Sequence, residues 1–235
     1  LLYEAGVRLP DGTPLAAAAA DAGPGVQTLI VSAMDWEPAL CAEDAVLSYD
    51  GEAAFWGIRL LERLLRPRAV RLAVGIGQTG ALAAAERWVG GRLTLAVAAD
   101  RYPGAHPQLL ARELGGAQPG QTPREAGVLV VPVSAAAAAG RAAYEGLPAV
   151  ERLVSVSWPG GRATVRTPLG APIRALLRAA GGPAGTVLLG GPMAGTVLTD
   201  TAAPVTQAVA GLTVLDGRPQ PPATACIRCG RCAAV

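Results

Sequence analysis

The chain has 235 residues, 51% of them apolar, at a mean hydropathy of +0.35: a globular composition with enough length for one large domain or two modest ones. A net charge of +2, with no basic cluster and only 4% aromatic residues, argues against a nucleic-acid surface. The longest aliphatic runs, 15–20 and 135–139, fall far short of the ~18 residues of a membrane span, so membrane attachment is expected to go through partners.

The first 25 residues, punctuated by Pro10, Gly12, Pro14, Gly23, Pro24 and Gly25 around an alanine run, fit a loop and a short helix. Val26 to Ser32 is an apolar, partly β-branched run that reads as a buried strand, followed by the polar segment Asp35-Trp36-Glu37-Pro38. Phe55, Ile58, Leu61, Leu64 and Leu65 recur at helical spacing, which predicts a helix over 51–66 with Asp50 as its N-cap and Pro67 as its stop. A strand is expected over 69–74, a turn at Gly75-Ile76-Gly77-Gln78-Thr79-Gly80, a helix over 81–89 and a strand over 93–98. A helix over 108–114, a strand over 127–131 and an alanine-rich helix over 135–145 continue the alternation, which implies a mainly parallel sheet covered on both faces.

The pattern changes near Leu147-Pro148. Arg152 to Trp158 alternates, Pro159-Gly160-Gly161 turns the chain, and 163–166 returns, so a β-hairpin is expected. A helix over 173–180, a strand over 186–189, the loop Gly190-Gly191-Pro192-Met193-Ala194-Gly195 and a strand over 212–215 suggest a small α+β unit of β-grasp type. The proline-rich stretch 217–224 reads as a linker. The expected division is an α/β domain over 1–147, a β-grasp domain over 148–216, and a linker with the start of an iron–sulfur module over 217–235.

Cys226, Cys229 and Cys232 form C-x2-C-x2-C, the spacing at which thiolates wrap three corners of a [4Fe-4S] cubane in bacterial ferredoxin runs. A fourth cysteine would fall just past Val235, so the sequence reads as a piece cut inside such a module, its cluster completed by downstream ligands. Zinc would need a fourth ligand, and the single histidine, His106, lies far upstream; a disulfide would leave one of the three thiols unpaired.

Taken in order, Glu4-Ala5-Gly6-Val7, Ser32 to Pro38, Tyr102-Pro103 with Gln108-Leu109, Gly127 to Val130, Leu147 to Val156, Leu169 to Pro172, Gly190 to Gly195 and the cysteine run resemble RnfC. RnfC belongs to the Rnf ion-translocating ferredoxin:NAD oxidoreductase and is itself similar to the flavoprotein subunit of respiratory complex I. The cobalamin reductase of propanediol microcompartments shares most of these segments and is the rival resemblance. The resemblance implies an electron-transfer subunit with FMN, NAD(H) and [4Fe-4S] cofactors. It also implies partners among the subunits of a membrane redox complex, ferredoxin as a possible further partner, and a cytoplasmic position peripheral to the inner membrane.

The departures fall on the chemistry. Where the family carries G-x-G-G-A-G-F-P-T-x-x-K, this chain reads Arg8-Leu9-Pro10-Asp11-Gly12-Thr13-Pro14-Leu15, and all of its basic residues are arginine, so the family lysine is absent. Complex I's N-A-D-E-S-E-P appears as Ser32 to Pro38, which keeps Glu37 but brings in a bulky Trp36; the family N-V-x-T appears as Pro132-Val133-Ser134-Ala135. The flavin site is therefore expected to be lost.

Two further sets are candidates for cofactor binding. Gly75, Gly77 and Gly80 form G-x-G-x-x-G after a strand, with Asp100 placed where a ribose-binding carboxylate belongs; the same turn is also an ordinary strand-to-helix turn in a glycine-rich chain. Asp35 and Glu37 fit either a nicotinamide ribose or a solvated pair at a strand end. A chain of this kind fits an NADH-oxidising enzyme, a docking scaffold for clusters, or a free-standing NAD-binding protein.

Overall fold

A computed structural model describes residues 2–217 and 227–230. Its first half runs α1 (Leu15–Ala22), β1 (Thr28–Ser32), α2 (Ala42–Tyr49), α3 (Gly51–Leu65), β2 (Ala69–Gly75), α4 (Thr79–Ala85), β3 (Leu93–Ala98), α5 (Pro107–Gly115), β4 (Val128–Pro132) and α6 (Val133–Tyr144). The four strands form a wholly parallel sheet in the order β3-β2-β1-β4.

Alternate strand residues sort onto two faces, as the two-residue period requires. Leu29, Val31, Leu72 and Val74 join the core shared with α3 and α6, whereas Ile30 and Ala73 join the core under α5. The fold is α/β. Helices α3 and α6 approach backbone to backbone: a Cβ on Gly57 would overlap the carbonyl oxygen of Ala136, and one on Gly140 that of Ala53. Only glycine permits so close a crossing.

The second half runs β5 (Glu151–Trp158), β6 (Gly161–Pro168), α7 (Ile173–Ala180), β7 (Thr186–Leu189), β8 (Thr196–Val197) and β9 (Gly211–Leu215). These strands make a mixed sheet in the order β6-β5-β9-β7-β8, with β5 and β9 parallel and the other neighbours antiparallel. Ile173 and Leu176 of α7 pack on Val154, Val156, Leu212 and Val214. The amphipathic period of α7 places both leucines and the isoleucine inward and Arg174 and Arg178 outward.

The expected strands and helices appear within a few residues, with four differences. Helix α2 was not foreseen from the sequence. Asp50 does occupy the N-cap position of α3, but its side chain makes no cap bond. It turns instead to Arg166 Nη2 at 2.7 Å and to Arg141 Nη1 at 3.0 Å, the second an ion pair without hydrogen-bond alignment. Helix α4 stops at Ala85 instead of Val89, because the chain tightens into i to i+3 turns that bring Trp88 onto Phe55, with ring centroids 5.0 Å apart. The two-residue strand β8 is the fourth difference: it closes the 190–195 loop back onto β7.

Candidate functional site at the carboxyl edge of the parallel sheet

In an open parallel sheet the loops beyond the strand carboxyl ends form the usual ligand crevice. Here the loops after β1, β2 and β3, with Arg162 of the second sheet, enclose an open cleft of about 330 Å3 lined by Asp35, Glu37, Cys41, Gln78, Asp100 and other residues of those loops. Every candidate carboxylate and two of the candidate glycines, Gly77 and Gly75, stand on or beside it. What each carboxylate does is set by the amides it faces.

Glu37 crosses to the second half of the molecule. Its Oε2 accepts from the amides of Met193 at 2.7 Å and Ala194 at 2.9 Å, and its Oε1 from Gly191 at 3.3 Å. The Gly190–Gly195 loop is thus a cradle of backbone N–H groups closed around one carboxylate. Met193 leaves its side chain 58% exposed and contributes its amide.

Asp35 caps α2 from seven residues upstream: its two carboxylate oxygens accept from the amides of Glu43 at 3.1 Å and Asp44 at 3.2 Å. Burial and the nearby Glu43 charge push its pKa up to about 7 against the relief of those two hydrogen bonds. Burial likewise raises Asp44, with the Arg162 charge opposing, and raises the Cys41 thiol, whose Sγ lies 3.4 Å from Thr164 Oγ1.

The glycine turn is closed by the protein itself. The Gly77 amide donates to Asp100 Oδ2 at 2.6 Å, the Gly75 amide donates to Gln78 Oε1 at 2.6 Å, and Gln78 Nε2 reaches the Ala33 carbonyl at 3.0 Å. A Cβ on Gly75 would overlap the Asp100 carboxylate, whereas Gly80 faces open space. The Gly77 amide of the turn is therefore already taken by Asp100.

Sequence reasoning missed a buried polar link behind the cleft. Glu43 is 4% exposed, and its carboxylate accepts from Ser134 Oγ at 2.5 Å and the Ser134 amide at 2.9 Å, so it caps α6. Desolvation raises its pKa, opposed first by those bonds and then by the charge of Arg152 on β5, while burial lowers Arg152. Arg152 also donates through Nη1 to the Gln207 carbonyl and through Nε to that of Leu153. A Glu in a helical stretch reads as solvent-facing; only its S-A-A partner ninety-one residues on would have signalled otherwise.

The strand order reverses between β1 and β4, and that switch point is where a doubly wound sheet takes a nucleotide. The crevice there holds about 70 Å3 and is lined by Leu9, Pro10, Asp11, Trp36, Pro107 and neighbouring residues. Trp36 leans edge-on to His106, with ring centroids 5.8 Å apart, and His106 caps α5 through Nδ1 and the Gln108 amide at 3.2 Å. Pockets for drug-sized or cofactor ligands run to ≈ 300–1,000 Å3, a range that the cleft beyond β1–β3 reaches and this crevice does not.

Of the three cysteines expected to bind a cluster, Cys226 and Cys232 lie outside the described residues. Cys229 is an exposed free thiol. Among the described residues no group of three or more His, Cys, Asp or Glu side chains is placed to hold a metal ion.

No family model matches the sequence. Among curated relatives, the RnfC protein of the ion-translocating oxidoreductase complex of Pasteurella multocida is 33% identical, over 98% of this chain and 29% of the relative. Its counterpart in Pseudomonas aeruginosa is 32% identical, over 98% of this chain and 31% of the relative. The chain is similar to RnfC over nearly all of its own length. It spans about 30% of the length of these relatives. Among solved structures, a chain of the NAD+-reducing [NiFe]-hydrogenase in the air-oxidized state superposes on 92% of the RnfC-like chain and 45% of its own length, with a TM-score of 0.73 at 22% identity. That likeness extends the α/β assignment across both sheets. Among the described residues no helix is long and apolar enough to cross a membrane.

Proposed function

We propose that this RnfC-like chain is the docking scaffold of an electron-transfer subunit in a multi-subunit ion-translocating oxidoreductase, with no flavin of its own. In this reading residues 1–147 are a complex I flavoprotein-subunit-like domain that keeps the fold and has lost the cofactor, and residues 148–216 are a β-grasp domain. Residues 217–235 open an iron–sulfur module in which Cys226, Cys229 and Cys232 supply thiolates to a [4Fe-4S] cluster. Such a cluster would relay single electrons between NAD(H) or ferredoxin chemistry and membrane partners.

The observation that carries this reading is the small switch-point crevice: about 70 Å3, lined by Trp36, Leu9 and Pro10, in a chain similar to RnfC along its length. The strand order β6-β5-β9-β7-β8 with α7 after the first hairpin supports the β-grasp assignment. The exposed, free thiol of Cys229 supports its role as a ligand. With Asp35, Glu37, Gly77 and Gly75 engaged in holding loops and helix ends, the scaffold reading is favoured over the NADH-oxidising one.

Two measurements test it. FMN added to the purified protein is expected to show no saturable fluorescence quenching; micromolar binding, which corresponds to roughly 8 kcal/mol, would restore the enzyme reading. In the full-length protein reconstituted anaerobically, Cys229→Ala is expected to lower iron and sulfide by one cluster. Unchanged iron, or zinc in its place, overturns the ligand assignment.

A further inference from the structure

The outer face of α3 is unlike the rest of the surface. Trp56, Arg59 and Arg63 recur at i, i+3 and i+7 on its solvent side, and Leu64, 56% exposed, follows one position on. Four of the chain's few aromatic rings cross this face as a continuous row. Tyr144 of α6 packs on Trp56 at 4.6 Å, Trp56 on Phe55 at 5.4 Å, and Phe55 on Trp88 at 5.0 Å between centroids, with the Arg59 guanidinium 5.1 Å from the Phe55 centroid. Tyr144 and Trp56 remain 58% and 37% exposed.

Charge on this face is one-sided. Glu62 is held by Arg59 at 2.7 Å, while Arg63, Arg66 and Arg68 are exposed and make no ion pair among the described residues; Glu52 is the remaining acid on the helix. Beside the arginine-rich end lies an open groove of about 540 Å3 between α1 and α3, lined by Leu2, Ala16, Ala19, Ala20, Leu64 and Arg66, among others. Arg66 is the one side chain along the groove with hydrogen-bonding capacity. A protein interface of ordinary size makes about ten direct hydrogen bonds, and this wall offers almost none to a polypeptide, but it suits hydrocarbon. Tyrosine and tryptophan with one wet end, arginines beside them and an aliphatic trough are the side chains that settle at a lipid headgroup boundary.

We propose that the outer face of α3, with the α1–α3 groove, lies against an anionic lipid surface, the arginines on headgroup phosphates and Trp56, Leu64 and Tyr144 at the acyl boundary. This is adsorption in the plane of the interface and needs no spanning segment. It holds whether or not the cysteine run carries a cluster, so its test is independent of the preceding one.

The test is sedimentation of the protein with vesicles of phosphatidylcholine alone or with a third phosphatidylglycerol. Binding is expected to require phosphatidylglycerol and to weaken with salt. Each arginine near an anionic surface contributes about 1 kcal/mol, so Arg63→Glu with Arg66→Glu is expected to reduce the partition constant by about tenfold or more. Trp56→Ala is expected to weaken binding in phosphatidylglycerol vesicles with the salt dependence kept. As a charge-matched control, Arg174→Glu with Arg178→Glu on the outer side of α7 should leave binding within twofold. Circular dichroism of each variant confirms the fold. Equal loss in the α7 variant, no phosphatidylglycerol-dependent binding, or binding that appears only when a second protein is added would each overturn the proposal.

Discussion

Glu37 and Gly191 are fitted to one another: a Cβ at 191 would stand 2.5 Å from the Glu37 Cβ, and the Gly191 amide donates to Glu37 Oε1 at 3.3 Å. The glycine is needed for space, and the carboxylate is needed to satisfy three amides of the same loop. Gly191→Ala is therefore expected to destabilise by about 1–3 kcal/mol through overpacking, and Glu37→Ala by a similar amount through unpaired amides, both read from urea unfolding. Because both act on the same contact, the double variant should lose clearly less than the sum of the two. Strict additivity would show that the contact is not shared.

The raised pKa of Asp35 fixes a sign. An acid near 7 in the fold and near 3.8 when unfolded is more readily protonated in the native state, so its contribution is full below about pH 4 and is lost as pH rises through about 7. Glu43 and Asp44, also raised, act in the same direction. Asp35→Asn keeps one oxygen to accept from the start of α2 and removes the charge. It is expected to flatten the fall in stability between pH 5 and 8, by up to ~3 kcal/mol at the alkaline end. An unchanged slope would remove Asp35 as its source.

The α3–α6 crossing tolerates no side chain. Gly57→Ala must push Ala136 away or separate two helices whose neighbours are fully buried, so a loss of about 3 kcal/mol or more is expected in the midpoint of denaturation, with Gly140→Ala comparable. Gly80→Ala, at the start of α4 in open space, is expected to change stability by less than about 1 kcal/mol or to improve it.

The glycine turn after β2 should respond to Asp100. Asp100→Ala leaves the Gly77 amide without its acceptor and is expected to cost about 1–3 kcal/mol, with faster hydrogen exchange at residues 76–78. If exchange there is unaltered, the carboxylate does not hold the turn.

The strands were legible because each is a short run of Val, Leu and Ile bounded by turn residues, and β5–β6 because its alternation is broken only by Pro159-Gly160, where φ at Gly160 is +85°. Helix α2 was not legible because its cap, Asp35, comes from outside the helix and a loop away, and because Glu43 and Asp44 suggest a solvated stretch where Glu43 is in fact buried. At the cleft, the sequence marked Asp35, Glu37, Asp100 and the glycines as polar or special. It could not show that their partners would be the protein's own amides, since the Glu37 contacts span more than 150 residues of chain. Trp36 was visible as a change of size; that it would line one small crevice with Leu9 and Pro10, from the segment that stands where the family carries its glycine loop, was not.

Asp50 has a mechanical consequence. One carboxylate links Arg141 near the end of α6 to Arg166 on β6, while Glu37 ties the loop after β1 to the 190–195 loop. Two separate polar clasps between the same two halves oppose their coming apart, so the halves should turn as one solid block.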